Sequence, residues 1–327
     1  MKTTPGSGSA KAHPNIAFIK YWGNCEQNTE IPANGSISMN LGGLETQTTV
    51  KFKSEFDRDV LIINGKEAEE IAVNRASKFL ELVRNMAGIK AYAKVESVNN
   101  FPMGAGIASS ASAFAALALA ASRAAGLDLN ESELSRLARR GSGSACRSIP
   151  GGFVEWLADG CDPDSMAVSI ASPKHWDLRD CIAIVHRGHK SVSSREGHKI
   201  AYTSPLQETR VLGAPQRLEI CRNAIQERNF DALTAVVELD NHLMHAVMMT
   251  SSPPLIYWRD ATVAIMQAVI SWRKEGVPVC YTIDAGPNVH VICEGKFAEI
   301  VRNRLGKIPG VLDVITAIPG YGVRVIS

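Results

Sequence analysis

The segment FPMGAGIASSASAFAALALA, residues 101–120, constrains the fold of this chain more than any other stretch. Glycines and serines lead into a run of small apolar residues, which predicts a helix that packs closely against its neighbours. The first N–H groups of a helix are unpaired and partly positive, and glycines let a ligand approach them. The segment alone equally supports an anion-binding helix start and a close-packed helix whose serines act as caps. It is not a Walker A loop, because GxxxxGK[ST] is absent.

The composition is typical of a soluble globular protein. The chain has 327 residues, 45% of them hydrophobic and 21% charged, and a formal net charge of +2. This balance gives no electrostatic reason to expect nucleic acid or a membrane as a partner. The N-terminus has no apolar core of a signal peptide, and the longest apolar run is too short to span a bilayer. We therefore expect a cytoplasmic location, with the seven scattered cysteines reduced and mostly buried.

Hydrophobic periodicity predicts a mixed order of strands and helices, so the expected fold class is α+β. Residues 1–12 look loose, Asn64-Gly65 is a hairpin turn signal, and Asn130 with Glu133 forms a capping-box pattern. A change in pattern suggests two domains, residues 1–182 and 183–327. Strands are predicted at 36–41, 46–53, 60–63, 91–98, 183–185, 277–283 and 289–293, and helices at 67–87, 129–140, 215–227, 231–249, 259–275 and 296–305.

Three other stretches carry candidate chemistry, each with a plainer alternative. In RRGSGSACRS, Ser142 and Ser144 can bind an oxyanion and Arg147 a carboxylate, although a flexible connector with a surface arginine is also compatible. In YTIDAGPN, Asp284 ends an apolar strand as a base or metal ligand would, or as an Asx-turn residue would. In NIAFIKYWG, Lys20 can neutralise phosphate charge or hold an aspartate, or it can be a solvated lysine.

One histidine pair suggests a metal site by its spacing. His242 and His245 lie three residues apart in DNHLMHAVM, but this is a helical pattern without the HExxH arrangement of zinc enzymes. We therefore interpret both residues as part of a packed helix.

In this order, the segments NIAFIKYWG, SVNNFPMGAGIASSAS, RRGSGSACRS, GGFVEW and YTIDAGPN closely resemble the mevalonate diphosphate decarboxylases of the GHMP kinase superfamily. The resemblance implies a GHMP kinase fold, with an N-terminal domain like the second domain of ribosomal protein S5 and a ferredoxin-like C-terminal domain. It also implies a homodimer that uses ATP and Mg²⁺ to phosphorylate the tertiary 3-hydroxyl of a small-molecule substrate. Loss of that phosphate with CO₂ then leaves an alkene.

The same resemblance implies a role for each matching residue. Asp284 would orient or deprotonate the 3-hydroxyl, Lys20 would hold Asp284 ionised, and Arg147 with Asn15 would hold the substrate carboxylate. Ser110 would lie near the transferred phosphate and Mg²⁺. The residues implied for ATP are Asn99, Pro102, Gly104, Ala105, Gly106, Ala108, Ser109 and Ser110. The residues implied for the substrate's 5-phosphate end are Tyr21, Ser142, Ser144, Ser194, Arg195 and His198.

Two departures from the family pattern fall at that phosphate end. The family usually reads KYWGK where this chain has Asn24 in place of the second lysine, and SSxxGM where it has His198 in place of methionine. Losing a cation suits a smaller, less charged group, so we hypothesise a mevalonate 5-phosphate decarboxylase that yields isopentenyl phosphate. The alternative is a mevalonate 5-diphosphate decarboxylase in which Arg195 compensates for the missing lysine. A mevalonate 3-kinase without decarboxylation and a non-catalytic ligand-binding protein are further alternatives.

Overall fold

The fold is taken from a computed structural model that describes residues 6–25, 30–101, 109–158, 162–188 and 192–326. The residues implied for ATP at Pro102, Gly104, Ala105, Gly106 and Ala108 lie outside these ranges. The strands are β1 (Ser7–Ala12), β2 (Asn15–Ile19), β3 (Ser36–Gly42), β4 (Thr46–Lys53), β5 (Val60–Ile63), β6 (Lys66–Glu67), β7 (Tyr92–Asn99), β8 (Phe153–Leu157), β9 (Met166–Ala171), β10 (Leu178–Ile184), β11 (Val279–Thr282), β12 (Val289–Glu294), β13 (Asp313–Pro319) and β14 (Arg324–Val325). The helices are α1 (Glu70–Ala87), α2 (Ser109–Ala124), α3 (Glu131–Gly141), α4 (Ser194–Ile200), α5 (Gln207–Leu212), α6 (Ala214–Glu227), α7 (Phe230–Thr250), α8 (Asp260–Lys274) and α9 (Ala298–Leu305), with a short 3₁₀ helix at Gly143–Ser148.

The first sheet runs in the order β14-β1-β4-β7-β5-β6, and helices α1 and α2 cover one of its faces. Helix α2 lies very close to β1, because a Cβ placed on Gly8 would come within 2.4 Å of the Ala120 carbonyl oxygen. The alanines of α2 make this approach possible, so the close-packing interpretation of the segment is confirmed. The predicted turn is also confirmed, with φ of 50° at Asn64 and 79° at Gly65.

The prediction that residues 1–12 are loose is wrong for residues 7–12. They form β1, which pairs antiparallel with both β4 and β14. Its inward-facing residues are Gly8, Ala10 and Ala12, whose small side chains give no hydrophobic periodicity to detect. These three residues are buried because helix α2 packs on the strand.

The second sheet runs β11-β12-β10-β13-β3-β8-β9, with β2 pairing to β3 at its side. Helices α6 and α7 pack on one face around Ile225 and Val237, and α8 and α9 on the other around Val269 and Val301. The chain is thus an α+β protein, as predicted. Residue 182 lies inside β10, so the position of the boundary between the two halves stays a prediction.

The capping box of α3 forms as predicted, with Asn130 Oδ1 accepting from the Glu133 N–H at 3.0 Å. Helix α4 was not predicted, and its start is fixed by a similar box between Ser193 and Glu196.

Buried free thiols are found at Cys146, Cys181, Cys221, Cys280 and Cys293. Cys25 is disulfide-bonded, so the expectation of reduced cysteines throughout is wrong at that residue. No helix in the described part of the chain is both long and apolar enough to cross a membrane.

Candidate active site

A cleft of about 780 Å³ collects most of the residues that the sequence singled out. Its walls come from the loop after β2, the start of α2, the 3₁₀ helix, helix α4 and the loop after β11. The predicted site residues that line it are Lys20, Tyr21, Ser109, Ser110, Ser142, Ser144, Arg147, Ser194, Arg195, His198 and Asp284. Stretches far apart in sequence therefore converge on one cavity.

Lys20 and Asp284 form an ion pair, with Nζ 2.7 Å from Oδ1. The lysine side chain is 1% exposed, so it is not a solvated surface group, while the carboxylate is 28% exposed and faces the cleft. Burial lowers the pKa of Lys20, and the adjacent carboxylate opposes that shift. Burial, the largest single effect, would raise the pKa of Asp284, but the positive charges of Lys20, His290 and Arg147 together outweigh it and leave the pKa of Asp284 below its usual value.

Arg147 is buried, and the flexible-connector alternative for its segment is wrong. Its guanidinium donates to Ser36 Oγ at 2.5 Å and to Asn15 Oδ1 at 3.2 Å. Asn15 in turn donates to Ser148 Oγ at 2.8 Å and to the Ser144 carbonyl at 3.1 Å. The Nε of Arg147 has no hydrogen-bond partner within the described residues. An arginine held by neutral groups, beside a cleft, is suited to bind a carboxylate.

Helix α2 begins at Ser109 in the cleft wall, and its first turn contains no acidic residue. Ser110 Oγ lies 3.3 Å from Ser142 Oγ, so the two serine-rich segments meet at this point of the cleft. Asn99 lies elsewhere: it ends β7, accepts from Thr46 Oγ1 and does not line this cavity. Its implied contact with ATP stays a prediction.

The opposite wall of the cleft is basic. Arg75 and Lys78 of α1 line it together with Arg140 at the end of α3. Burial, with a smaller contribution from the nearby Arg195, lowers the pKa of Arg75 to about 10. None of these three residues was predicted, because a charged residue on a helix normally faces solvent.

The predicted phosphate end is built from Tyr21, Asn24, Arg195 and His198. Burial raises the pKa of Tyr21, so its hydroxyl is protonated, and it donates to Asn24 Oδ1. The His198 ring stacks on Tyr21 with centroids 4.1 Å apart, and its Nδ1 accepts from the Gly23 N–H at 3.0 Å. Arg195 pairs with Glu30 at 2.6 Å, a partner that the sequence did not reveal.

A buried polar network behind the cleft fixes the position of Lys20. Asp240 of α7 accepts from the Lys20 backbone N–H at 2.6 Å and pairs with Arg217 of α6 at 2.7 Å. Arg210 donates to the Lys20 carbonyl at 2.7 Å. The sequence did not predict these contacts, because a polar residue within a helical pattern does not show which side chain it will meet.

The helix interpretation of the two histidines agrees with the contacts they make. His242 Nε2 lies 2.7 Å from Tyr281 Oη, and His245 Nε2 lies 3.2 Å from the Ile283 carbonyl. The described residues contain no cluster of three or more potential metal-ligating side chains.

Comparison with known proteins identifies both halves of the chain. Residues 12–167 match the diphosphomevalonate decarboxylase-like N-terminal domain, and residues 181–315 match the mevalonate 5-diphosphate decarboxylase C-terminal domain. Diphosphomevalonate decarboxylase of Candida albicans is 37% identical over 93% of this chain and 90% of its own length. Phosphomevalonate decarboxylase of Haloferax volcanii is 34% identical over 86% of this chain and 87% of its own length.

Solved structures agree over nearly the whole chain. Mevalonate diphosphate decarboxylase from Staphylococcus aureus has a TM-score of 0.93 and 38% identity, covering 98% of each chain. MDDEF in complex with MVAPP, AMPPCP and magnesium has a TM-score of 0.92 and 38% identity, covering 98% of this chain and 99% of the other. The resemblance carried by the sequence motifs is confirmed, and the chain belongs to the mevalonate diphosphate decarboxylase family.

Proposed function

We propose that this chain is an ATP-dependent decarboxylase that phosphorylates the 3-hydroxyl of mevalonate 5-diphosphate and then releases phosphate and CO₂. The observation that carries the proposal is the meeting at one cleft of the Lys20–Asp284 pair and of Arg147, which the buried Asn15 holds from behind. The first pair suits a hydroxyl that must lose its proton, and the second suits a carboxylate that must be held. The relatives named above are decarboxylases of phosphorylated mevalonate, which supports the same reaction class.

Asp284 receives the proton of the 3-hydroxyl in this proposal. Because its pKa is lowered by Lys20, the carboxylate is ionised at neutral pH but is a weak base. A weak base is sufficient if the hydroxyl attacks a phosphoryl group through a loose transition state, in which the proton leaves late. Asp284 then contributes mainly by orienting the attacking oxygen, and Lys20 by holding the carboxylate in place.

Arg147, which Asn15 holds in place, fixes the substrate carboxylate for the second step. The bond between C2 and the carboxylate carbon breaks, its electrons form the alkene, and the C3–O bond to phosphate breaks as phosphate leaves. The carboxylate loses its charge as CO₂ forms, so the guanidinium acts by holding the breaking bond in line with the leaving group. Burial of Arg147 supports this role, because it excludes the water that would otherwise solvate the carboxylate.

The other wall fits ATP and Mg²⁺. Ser109 and Ser110 offer hydroxyls at the start of α2, and the Nε of the partly buried Arg75 has no hydrogen-bond partner within the described residues. A structure of MDDEF with AMPPCP and magnesium supports the same pair of ligands. When bound, Mg²⁺ neutralises charge on the phosphoryl oxygens, and we assign Ser110 as its protein ligand.

Separate observations support a diphosphate and a monophosphate as the phosphate tail of the substrate. Most of the similar curated proteins are diphosphomevalonate decarboxylases, and Arg75, Lys78 and Arg140 supply cations on the cleft wall. The second candidate, mevalonate 5-phosphate, is favoured by Asn24 and by the pairing of Arg195 with Glu30, which leave fewer cations for a distal phosphate.

Side-by-side kinetics test both candidates. Purified protein is given ATP, Mg²⁺ and either phosphorylated mevalonate, and ADP and CO₂ are measured together. We expect one CO₂ per ADP and a higher kcat/KM for the diphosphate. A higher kcat/KM for the monophosphate would select the second candidate. ADP without CO₂ would indicate a 3-kinase, and no ADP with either substrate would overturn the proposal.

Three expectations from the sequence stay proposals. We propose a homodimer, a cytoplasmic location and a domain boundary close to β10. Light scattering on the purified chain tests the first, cell fractionation the second, and limited proteolysis the third.

A further inference from the structure

Glu30 occupies an unusual place in the charge pattern of the cleft. Two acidic side chains, Glu30 and Asp284, are among the described residues that line it, and Asp284 is already paired with Lys20. The basic side chains in the lining are Lys20, Arg75, Lys78, Arg140, Arg147 and Arg195. Glu30 is therefore the acid that faces the phosphate end of an otherwise basic cleft.

The backbone fixes this position. The segment after Glu30 folds back on the loop that follows Lys20, because the Cys25 N–H donates to the Ile31 carbonyl at 3.0 Å and the Ala33 N–H donates to the Gly23 carbonyl at 3.1 Å. An isolated bridge between Asn24 and Pro32 belongs to the same contact. Glu30 thus lies next to the residues predicted to hold the substrate's phosphate tail.

Glu30 holds Arg195 through a contact that a ligand can replace. Arg195 NH2 lies 2.6 Å from Glu30 Oε1, with the arginine side chain 49% exposed and the glutamate 21% exposed. Ion pairs with this much exposure are weak, whereas a phosphate offers an arginine two parallel hydrogen bonds. The pair also influences its surroundings, since burial lowers the pKa of Arg75, Arg195 lowers it further and Glu30 opposes both effects.

We propose that Glu30 is a specificity-determining residue that competes with the substrate's phosphate tail for Arg195. A ligand must displace the Glu30 carboxylate to bind Arg195 and must then remain close to its negative charge. This cost grows with the charge of the tail, so Glu30 lowers the preference of the enzyme for a diphosphate over a monophosphate. The inference rests on the proposed function, and it explains how a decarboxylase of this family adjusts to tail length without changing the reacting end.

The test is Glu30→Gln, which keeps the shape of the side chain and removes its charge. Dissociation constants for mevalonate 5-phosphate and 5-diphosphate are measured without ATP by tryptophan fluorescence, because Trp22 lines the cleft. Values of kcat/KM are measured for each substrate that turns over. We expect the diphosphate-to-monophosphate preference to rise roughly threefold to tenfold, the size of a charge interaction at several ångströms near a protein surface. The rise should shrink at high salt.

A matched control is Glu275→Gln, which removes the acid of another exposed arginine pair, Glu275 with Arg304 at 2.6 Å, outside the cleft lining. It should leave the preference unchanged. In an Arg195→Gln background, Glu30→Gln should raise the preference less than it does in the wild type, because only the direct repulsion between Glu30 and the tail remains. An equal rise in both backgrounds would overturn competition for Arg195 as a cause.

An unchanged preference in Glu30→Gln, with turnover intact, would overturn the inference and leave the proposed function standing. Failure of the wild-type chain to bind or consume either substrate would overturn the proposed function instead.

Discussion

The two ends of the cleft are built in different ways. At the reacting end, Lys20 is 1% exposed and Arg147 is 3% exposed, and both are held by hydrogen bonds to strands and helices. At the phosphate end, Arg195 is 49% exposed and is held by one side chain, Glu30. The comparison indicates that the chemistry is fixed by the buried framework, whereas recognition of the tail depends on exposed pairs that single substitutions can change.

The largest expected effect is at the reacting end. Asp284→Asn removes the charge that orients the 3-hydroxyl and receives its proton, and we expect kcat to fall by roughly 10²–10⁴-fold. ADP release is the measurement, and circular dichroism at the assay temperature is the control for folding, because buried Lys20 loses its carboxylate and the unfolding temperature should fall. Near-normal turnover would remove Asp284 from the mechanism and erase the distinction between the two ends.

Substitutions at the two ends of the cleft should differ in their effect on the free energy of unfolding as much as in their effect on activity. Asp240→Asn leaves Arg217 buried without its carboxylate, and we expect a loss of about 3–5 kcal/mol in the free energy of unfolding. Glu30→Gln at the phosphate end should cost about 0–1 kcal/mol, because its pair is exposed. Urea unfolding measures both. Equal losses would contradict the view that only the reacting end is part of the buried framework.

Arg147→Lys tests whether the carboxylate is held by a planar fork. A lysine keeps the charge but cannot donate two parallel hydrogen bonds, and we expect kcat/KM to fall about 10- to 150-fold, the value of a charged hydrogen bond. CO₂ per ADP should drop below one if phosphorylation proceeds while the carboxylate is misplaced. An unchanged ratio together with unchanged kcat/KM would place the carboxylate elsewhere.

A smaller effect concerns pH and the histidine behind Asp284. Burial lowers the pKa of His245 from 6.5 to about 3, and its neutral ring donates to the carbonyl of Ile283, the residue before Asp284. Between these two values the unfolded chain binds a proton that the folded chain does not. Stability therefore falls as pH drops below the unfolded pKa, at up to about 1.4 kcal/mol per pH unit.

Replacing His245 by Gln removes this dependence while keeping an N–H donor for the carbonyl. Urea unfolding between pH 7 and pH 5 should then show a shallower loss of stability than in the wild type. His186→Gln, at a partly exposed position, controls for the loss of a histidine as such. Parallel pH profiles of wild type and His245→Gln would contradict the assignment.

The sequence predicted the regular elements well where periodicity was strong. The α3 capping box and the turn at Asn64 depend on residues that are adjacent in sequence, so short patterns were enough to find them. Strand β1 was missed because its buried positions are glycine and alanine, and burial there depends on a helix a hundred residues later.

Some contacts of the candidate site could likewise be predicted from the sequence, and others could not. Lys20 and Asp284 are 264 positions apart, and only the family resemblance suggested their contact. Glu30, Asp240 and Arg217 gave no signal, because a charged side chain shows in sequence neither its partner nor its burial. Short motifs thus identify residues that carry chemistry, while the groups that position them depend on the assembled fold.

A crystal structure of the chain with AMPPCP, Mg²⁺ and phosphorylated mevalonate tests the central claim most directly. The account predicts that the 3-hydroxyl oxygen lies about 3–3.5 Å from the terminal phosphorus and is hydrogen-bonded to Asp284, with the substrate carboxylate on Arg147. A bound substrate whose hydroxyl and carboxylate contact neither residue would contradict it.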